Sequence, residues 1–126
     1  MLLLNFAHPL TPLQQGQIET MIVQPITQII TQAVQLDEQQ PLAPQLQRLV
    51  AGLGVSAADW QTRPLLVILP GYAPAAAGLL AAIHGRRGHF PTIVHIRRQA
   101  GSVPTVYEAG EIIDLQAVRT TARNER

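Results

Sequence analysis

The chain has no cysteine and no lysine, few aromatic residues and few charges. Without cysteine there is no disulfide framework, no thiolate metal site and no thiol nucleophile. Without lysine, all nine cations are arginines, whose planar guanidinium matches phosphate oxygens in pairs and stacks on bases. Serine occurs only at Ser56 and Ser102, neither within a nucleophile elbow. Charged residues make up 13% of the chain and apolar residues 47%, the opposite of a disordered composition. No apolar run approaches the roughly 18 residues of a membrane span. The apolar start, Met1-Leu2-Leu3-Leu4-Asn5-Phe6, has neither a basic flank nor a cleavage signature. The expectation is one soluble, cytoplasmic domain over residues 1–126, with no membrane partner and some apolar surface left for an oligomer interface.

The order of elements reads as strand alternating with helix. Leu2 to Phe6 forms a short buried strand. Thr11 is a good helix N-cap, with Pro12 at the first position and Gln14 completing a capping box. Pro25 ends this helix. Residues 26–36 carry helical spacing (Ile26, Ile29, Ile30, Ala33, Val34) but β-branched content, and a strand from about 29 to 36 is preferred over a fused helix. A second helix begins near Pro44, with Leu46, Leu49, Val50 and Leu53 on one face. Ser56 starts a short helical turn carrying Trp60, read as a lid on the core. Leu65 to Leu69 is apolar throughout, as central parallel strands are. Pro74 opens a third helix that Gly85 should stop. Strands follow at Thr92–Arg98 and Val103–Ile113, then a short helix capped by Asp114, with a frayed tail from Arg123. The fold class is therefore α/β: a Rossmann-like domain, mainly parallel, with helices on both faces and an antiparallel edge strand.

In open parallel sheets, ligands bind beyond the carboxyl ends of the strands, near the point where strand order reverses. That rule selects Asn5, His8 and Pro9 after the first strand, Gly71, Tyr72 and Ala73 after the third, and Arg97 and Arg98 on the fourth. Gly71 admits a ligand to the backbone, and the helix start behind it offers free N–H groups to an anion. Tyr72 is either a stacking platform or an ordinary loop residue, and His8 either a ligand contact or a side chain packed on Pro9. Five arginines and no acid lie between Trp60 and Tyr107; they form a phosphate-facing surface or a solvated basic face. Arg86, Arg87 and His89 form a second tier, placed by topology on the opposite rim within one subunit. His84 and His89 are poorly spaced for a metal, no cofactor is expected, and no catalytic residue is assigned. Neither a Walker A motif nor a full G-x-G-x-x-G is present.

Several stretches together resemble a known family: Met1-Leu2-Leu3-Leu4-Asn5-Phe6-Ala7-His8-Pro9-Leu10-Thr11, Gln39-Gln40-Pro41-Leu42-Ala43-Pro44, Trp60-Gln61-Thr62, His84-Gly85-Arg86-Arg87-Gly88-His89-Phe90-Pro91 and Glu111-Ile112-Ile113-Asp114-Leu115-Gln116. In order and spacing they resemble the Csx-fifteen-type accessory proteins of type III CRISPR loci, nearly end to end. The resemblance implies a Rossmann-like, RNA-binding homodimer. Its ligand would be a cyclic oligoadenylate, with cyclic tetra-adenylate the first choice, lying across the two-fold axis, and DNA would not be a partner. Sequestering the messenger is the preferred role. The alternatives are a metal-independent ring nuclease, using the ligand's own 2′-hydroxyl as nucleophile, and a protein-interaction module without nucleotide function.

Overall fold

The computed structural model describes residues 1–126. Its elements are β1 (Leu2–Asn5), α1 (Pro12–Ile22), β2 (Gln28–Thr31), α2 (Leu42–Ala51), α3 (Ala57–Thr62), β3 (Leu65–Ile68), α4 (Ala73–Arg87), β4 (Thr92–Arg98), β5 (Tyr107–Asp114) and α5 (Leu115–Asn124). The strands form one sheet in the order β2-β1-β3-β4-β5. The first four are parallel and β5 runs antiparallel to β4. This is the Rossmann-like α/β arrangement that the strand–helix alternation implies. No helix is long and apolar enough to cross a membrane.

Alternation along the strands sorts the core into two layers. Leu2, Leu4, Leu65 and Val67 point to one face, where α2, α3 and α4 add Leu46, Val50, Trp60, Leu79 and Ile83. Leu3, Leu66, Ile68 and Val94 point to the other, where α1 supplies Ile18 and β5 supplies Ala109. Trp60 is buried in the first layer, so it is a core residue and not a stacking surface. Gly78 of α4 lets the second helix come close: a Cβ there would overlap the Leu46 side chain.

Several boundaries differ from the sequence expectation. β2 covers Gln28–Thr31 and not 29–36, because its partner β1 has only four residues to offer. The amide of Gln32 still donates to the Asn5 carbonyl at 2.9 Å, after which the chain leaves the sheet as a loop. α2 starts at Leu42, ahead of Pro44; Pro44 sits in the first turn, where its missing N–H costs nothing. The Gln45 side chain ties the incoming loop down, accepting from the Asp37 amide at 2.8 Å and donating to the Asp37 carbonyl at 2.9 Å.

α4 runs through Gly85 to Arg87. The left-handed residue that stops it is Gly88, at φ 84°, whose N–H donates to the His84 carbonyl. Arg87 clamps this last turn, donating from Nη1 to the Trp60 carbonyl at 2.8 Å and the Arg63 carbonyl at 3.1 Å. β5 begins at Tyr107 and not Val103, since the Ser102 hydroxyl takes the Val106 amide at 3.0 Å and closes a turn. α5 extends to Asn124, past the tail expected to fray from Arg123.

The capping box at α1 forms as the sequence indicates, with Thr11 Oγ1 accepting from Gln14 N–H and Gln14 Oε1 accepting from Thr11 N–H. The far end of α1 is less comfortable. Val23 closes it in the left-handed region, at φ 51°, which costs an L-residue roughly 1–2 kcal/mol.

Two stability outcomes follow from these backbone facts. Val23 is 89% exposed, so Val23→Gly removes strain without removing packing and should raise stability by about 0.5–1 kcal/mol in a urea melt. Gly78→Val drives a side chain into buried Leu46 and should lower stability by about 1–3 kcal/mol in the same assay.

Candidate ligand-binding cleft

Strand order reverses between β1 and β3: the chain goes left from β1 to β2, then returns to the right of β1 for β3. A cleft of about 670 Å³ opens beyond the carboxyl ends of these strands, within the range of about 300–1,000 Å³ common for small-molecule sites. Three segments wall it: Phe6 to His8 after β1, Ala33 to Glu38 after β2, and Pro70 to Tyr72 after β3.

Asn5 builds the first wall. It is the one buried polar residue of the core. Its Nδ2 donates to the His8 carbonyl at 2.8 Å and its Oδ1 accepts from the Ala7 amide at 3.0 Å. A carboxamide supplies donor and acceptor together, so one side chain satisfies the tight turn that ends a central strand. His8 is thereby presented at the rim, exposed.

The third wall ends at the start of α4. Tyr72 is the N-cap and gives no side-chain hydrogen bond, and the first turn holds no acid. The amide end of a 15-residue helix, with the positive end of its dipole, thus begins directly behind Tyr72, the last residue of this wall. Ala75 is fully buried against the sheet, which seats this turn. A Cβ at Gly71 would meet no atom within 4 Å, so the space above its backbone is free. Tyr72 is 45% exposed and stands at the mouth.

Among the residues selected from sequence, His8, Gly71 and Tyr72 come together in this cleft. Asn5 lies beneath it as the support of the turn. Pro9 and Ala73 are exposed beside it but do not line it. Arg97 and Arg98 stand apart. β4 pairs with β3 only through Thr92 and Ile93, then runs on well past the end of β3. Arg97 Nε pairs with Glu108 Oε1 at 3.3 Å, across a bulge in which Gly110 has no partner and leaves room for the Arg97 stem. Arg98 donates to the Ser102 carbonyl at 3.2 Å and holds the β4–β5 turn.

The second tier lies on the opposite rim, as its topology requires. Arg87 is half-buried there, with Nη2 3.3 Å from His89 Nε2 and its Nε unpartnered. Desolvation pushes its pKa below the ordinary arginine value. His84 packs on Phe90, ring centres 4.4 Å apart. Arg86 is exposed. No three His, Asp or Glu side chains gather closely enough to hold a metal ion.

The wall from Ala33 to Glu38 is a site component that the sequence did not signal. It adds Val34 and Leu36 as apolar surface, and Gln35 and Glu38 as polar groups. No arginine lines the cleft. Arg48 borders the adjoining depression, which shares Ala33, Gln35 and Leu36 with it.

Removing the Asn5 carboxamide leaves the Ala7 amide and the His8 carbonyl without their partner. Asn5→Ala should therefore destabilise the domain by about 1–3 kcal/mol, read as an earlier urea midpoint at unchanged slope. Comparison of the chain with family models, curated proteins and solved structures gives no match.

Proposed function

We propose that this chain is a type III CRISPR accessory protein that binds and sequesters a cyclic oligoadenylate, cyclic tetra-adenylate being the first choice. The observation that carries the reading is the cleft at the strand-order reversal, whose third wall ends at Tyr72, immediately before an acid-free helix start with no side-chain cap. Pro74 has no N–H and Ala75 is buried, so a phosphate at this turn would be met by the Ala73 N–H and by the positive end of the helix dipole. Phe6, Val34 and Leu36 give apolar walls for a base, and Tyr72 gives an exposed ring at the mouth. The resemblance in residue order to Csx-fifteen-type proteins supports the choice of a ring-shaped RNA. In a homodimer, a two-fold axis would offer the cleft twice to a symmetric ring. The cytoplasm is where such a messenger would be met.

Binding is preferred over cleavage because the cleft groups only one histidine with one carboxylate, Glu38, and no arginine to stabilise charge at phosphorus. The test uses the full chain with cyclic tri-, tetra- and hexa-adenylate, reading thermal shift and product chromatography on the same samples. A shift with intact cyclic tetra-adenylate is the expected result. Gly71→Val fills free space without touching the core, so it and His8→Ala should each weaken binding by about tenfold or more, equal to at least about 1.4 kcal/mol. Linear products ending in a 2′,3′-cyclic phosphate would make the protein a ring nuclease. No shift with any ring would leave a domain whose partner is a protein.

A further inference from the structure

The wall after β2 keeps the form of a strand beyond the point where its neighbour ends. No bend or turn interrupts the chain from Gln32 to Asp37. Val34 and Leu36 pack on the same core layer as Ile30, so the period of two set in β2 runs on through Leu36. The segment is fixed at both ends. The Gln32 amide donates to the Asn5 carbonyl at 2.9 Å, and the Asp37 amide donates to Gln45 Oε1 at 2.8 Å. Between these anchors, no amide from Ala33 to Leu36 donates to another group of the chain, and the carbonyls of Val34, Gln35 and Leu36 accept from none.

The direction of these groups follows from the pairing that precedes them. In an extended chain the N–H and C=O of one residue point to the same side, and successive residues alternate. Gln32 sends its N–H toward β1, so Val34 and Leu36 send theirs to that side as well. Beyond Asn5 that side holds no strand. β1 turns away there, and its Ala7 amide goes to Asn5 Oδ1 instead of to β2. The position that β1 vacates opens into the cleft, which Val34 and Leu36 both line. In a parallel ladder, one residue is met by the C=O of residue i and the N–H of residue i+2 on the neighbouring strand. Asn5, level with Thr31, takes the Gln32 N–H in this way. The free pair within the cleft lining is the Val34 C=O with the Leu36 N–H, an acceptor and a donor side by side.

We infer that this backbone pair reads the base of the ligand, the Val34 carbonyl accepting from an exocyclic amine and the Leu36 N–H donating to the ring nitrogen beside it. Adenine carries that pair, a donor next to an acceptor, and the proposed ligand carries adenine. Hypoxanthine, guanine and uracil put an oxygen where the amine would be, which sets two acceptors face to face. Glu38, two residues on, is the one carboxylate of the lining and offers the amine a second acceptor. The inference rests on the reading of the cleft as a nucleotide site, and adds what selects the base there.

Two titrations of the full chain test it. The first adds adenosine monophosphate or inosine monophosphate to isotope-labelled protein and follows the amides by NMR. The Leu36 amide proton should move downfield with the adenine nucleotide and stay in place with the inosine nucleotide. The second compares cyclic tetra-adenylate with cyclic tetra-inosinate by calorimetry, and the adenine ring should bind about tenfold or more tightly. Leu36→Pro removes the donor and keeps the residue before it extended; in this variant, shown to be folded by a urea melt, the preference should vanish. The ratio is the readout, because lost packing would weaken both rings alike. A Leu36 amide that moves with the mononucleotide when no ring binds supports the inference and removes the ring-binding reading. Equal affinity for the two rings overturns the inference and leaves ring binding standing. A Leu36 amide unmoved by both the nucleotide and the ring overturns it too, as does a preference that survives in folded Leu36→Pro.

Discussion

The sheet depends on β1, a four-residue strand buried on both faces and paired over its whole length with β2 on one side and β3 on the other. A strand this short sets a common limit. Asn5 faces both Thr31 and Ile68, so three chains leave the sheet at nearly one level. Their three loops then have to turn within a small area, and the Asn5 carboxamide makes the tightest of those turns possible by satisfying Ala7 and His8 at once. The cleft is the space that remains between the loops. Its existence is thus a consequence of strand length and of one buried amide, before any ligand enters the description.

This explains which parts were legible in the sequence. β3 was plain because four consecutive apolar residues, buried on both faces, leave no other reading. The α1 capping box was plain because donor and acceptor lie three residues apart and need nothing distant. The end of α4 was not, since Gly85 and Gly88 offer equal local stops. The choice is made by Arg87, which reaches carbonyls more than twenty residues away and so rewards the longer helix. The end of β2 was hidden for a similar reason: a β-branched run continues past Thr31, but its partner strand does not. With that boundary misplaced, the wall from Ala33 to Glu38 could not be seen, whereas His8, Gly71 and Tyr72 followed from topology alone.

The arginines show how a composition signal divides once the chain folds. Four of the five between Trp60 and Tyr107 hold structure: Arg63 bonds Gln28, Arg87 clamps α4, Arg97 pairs with Glu108 and Arg98 closes a turn. A sequence stretch without acids therefore does not become a basic cleft, because its counter-charges and carbonyls arrive from elsewhere. On the proposed reading, the anion would be met at the Gly71–Ala73 turn by backbone and the dipole of α4, and Glu38 is the one carboxylate of the cleft lining. A carboxylate repels phosphate and accepts from exocyclic amines, so it favours a pose with the base toward Glu38 and the phosphate toward Gly71.

The two faces of the sheet are unequally covered, and that asymmetry bears on assembly. Three helices cover one face, while α1 alone crosses the other. α1 also closes the free edge of β5: Gln17 Oε1 accepts the Ala109 amide at 2.9 Å and Gln14 Nε2 donates to the Tyr107 carbonyl at 3.0 Å. Bonds that a foreign strand would need are already made, which is how an edge is kept from pairing with another chain. The other edge, β2, has four residues, about 13 Å of ladder, too little for strand addition to hold two copies together. Backbone pairing with another chain is thereby hindered at the start of β5, and the sheet's thinner cover on this face leaves Leu13 and Met21 of α1 exposed to water.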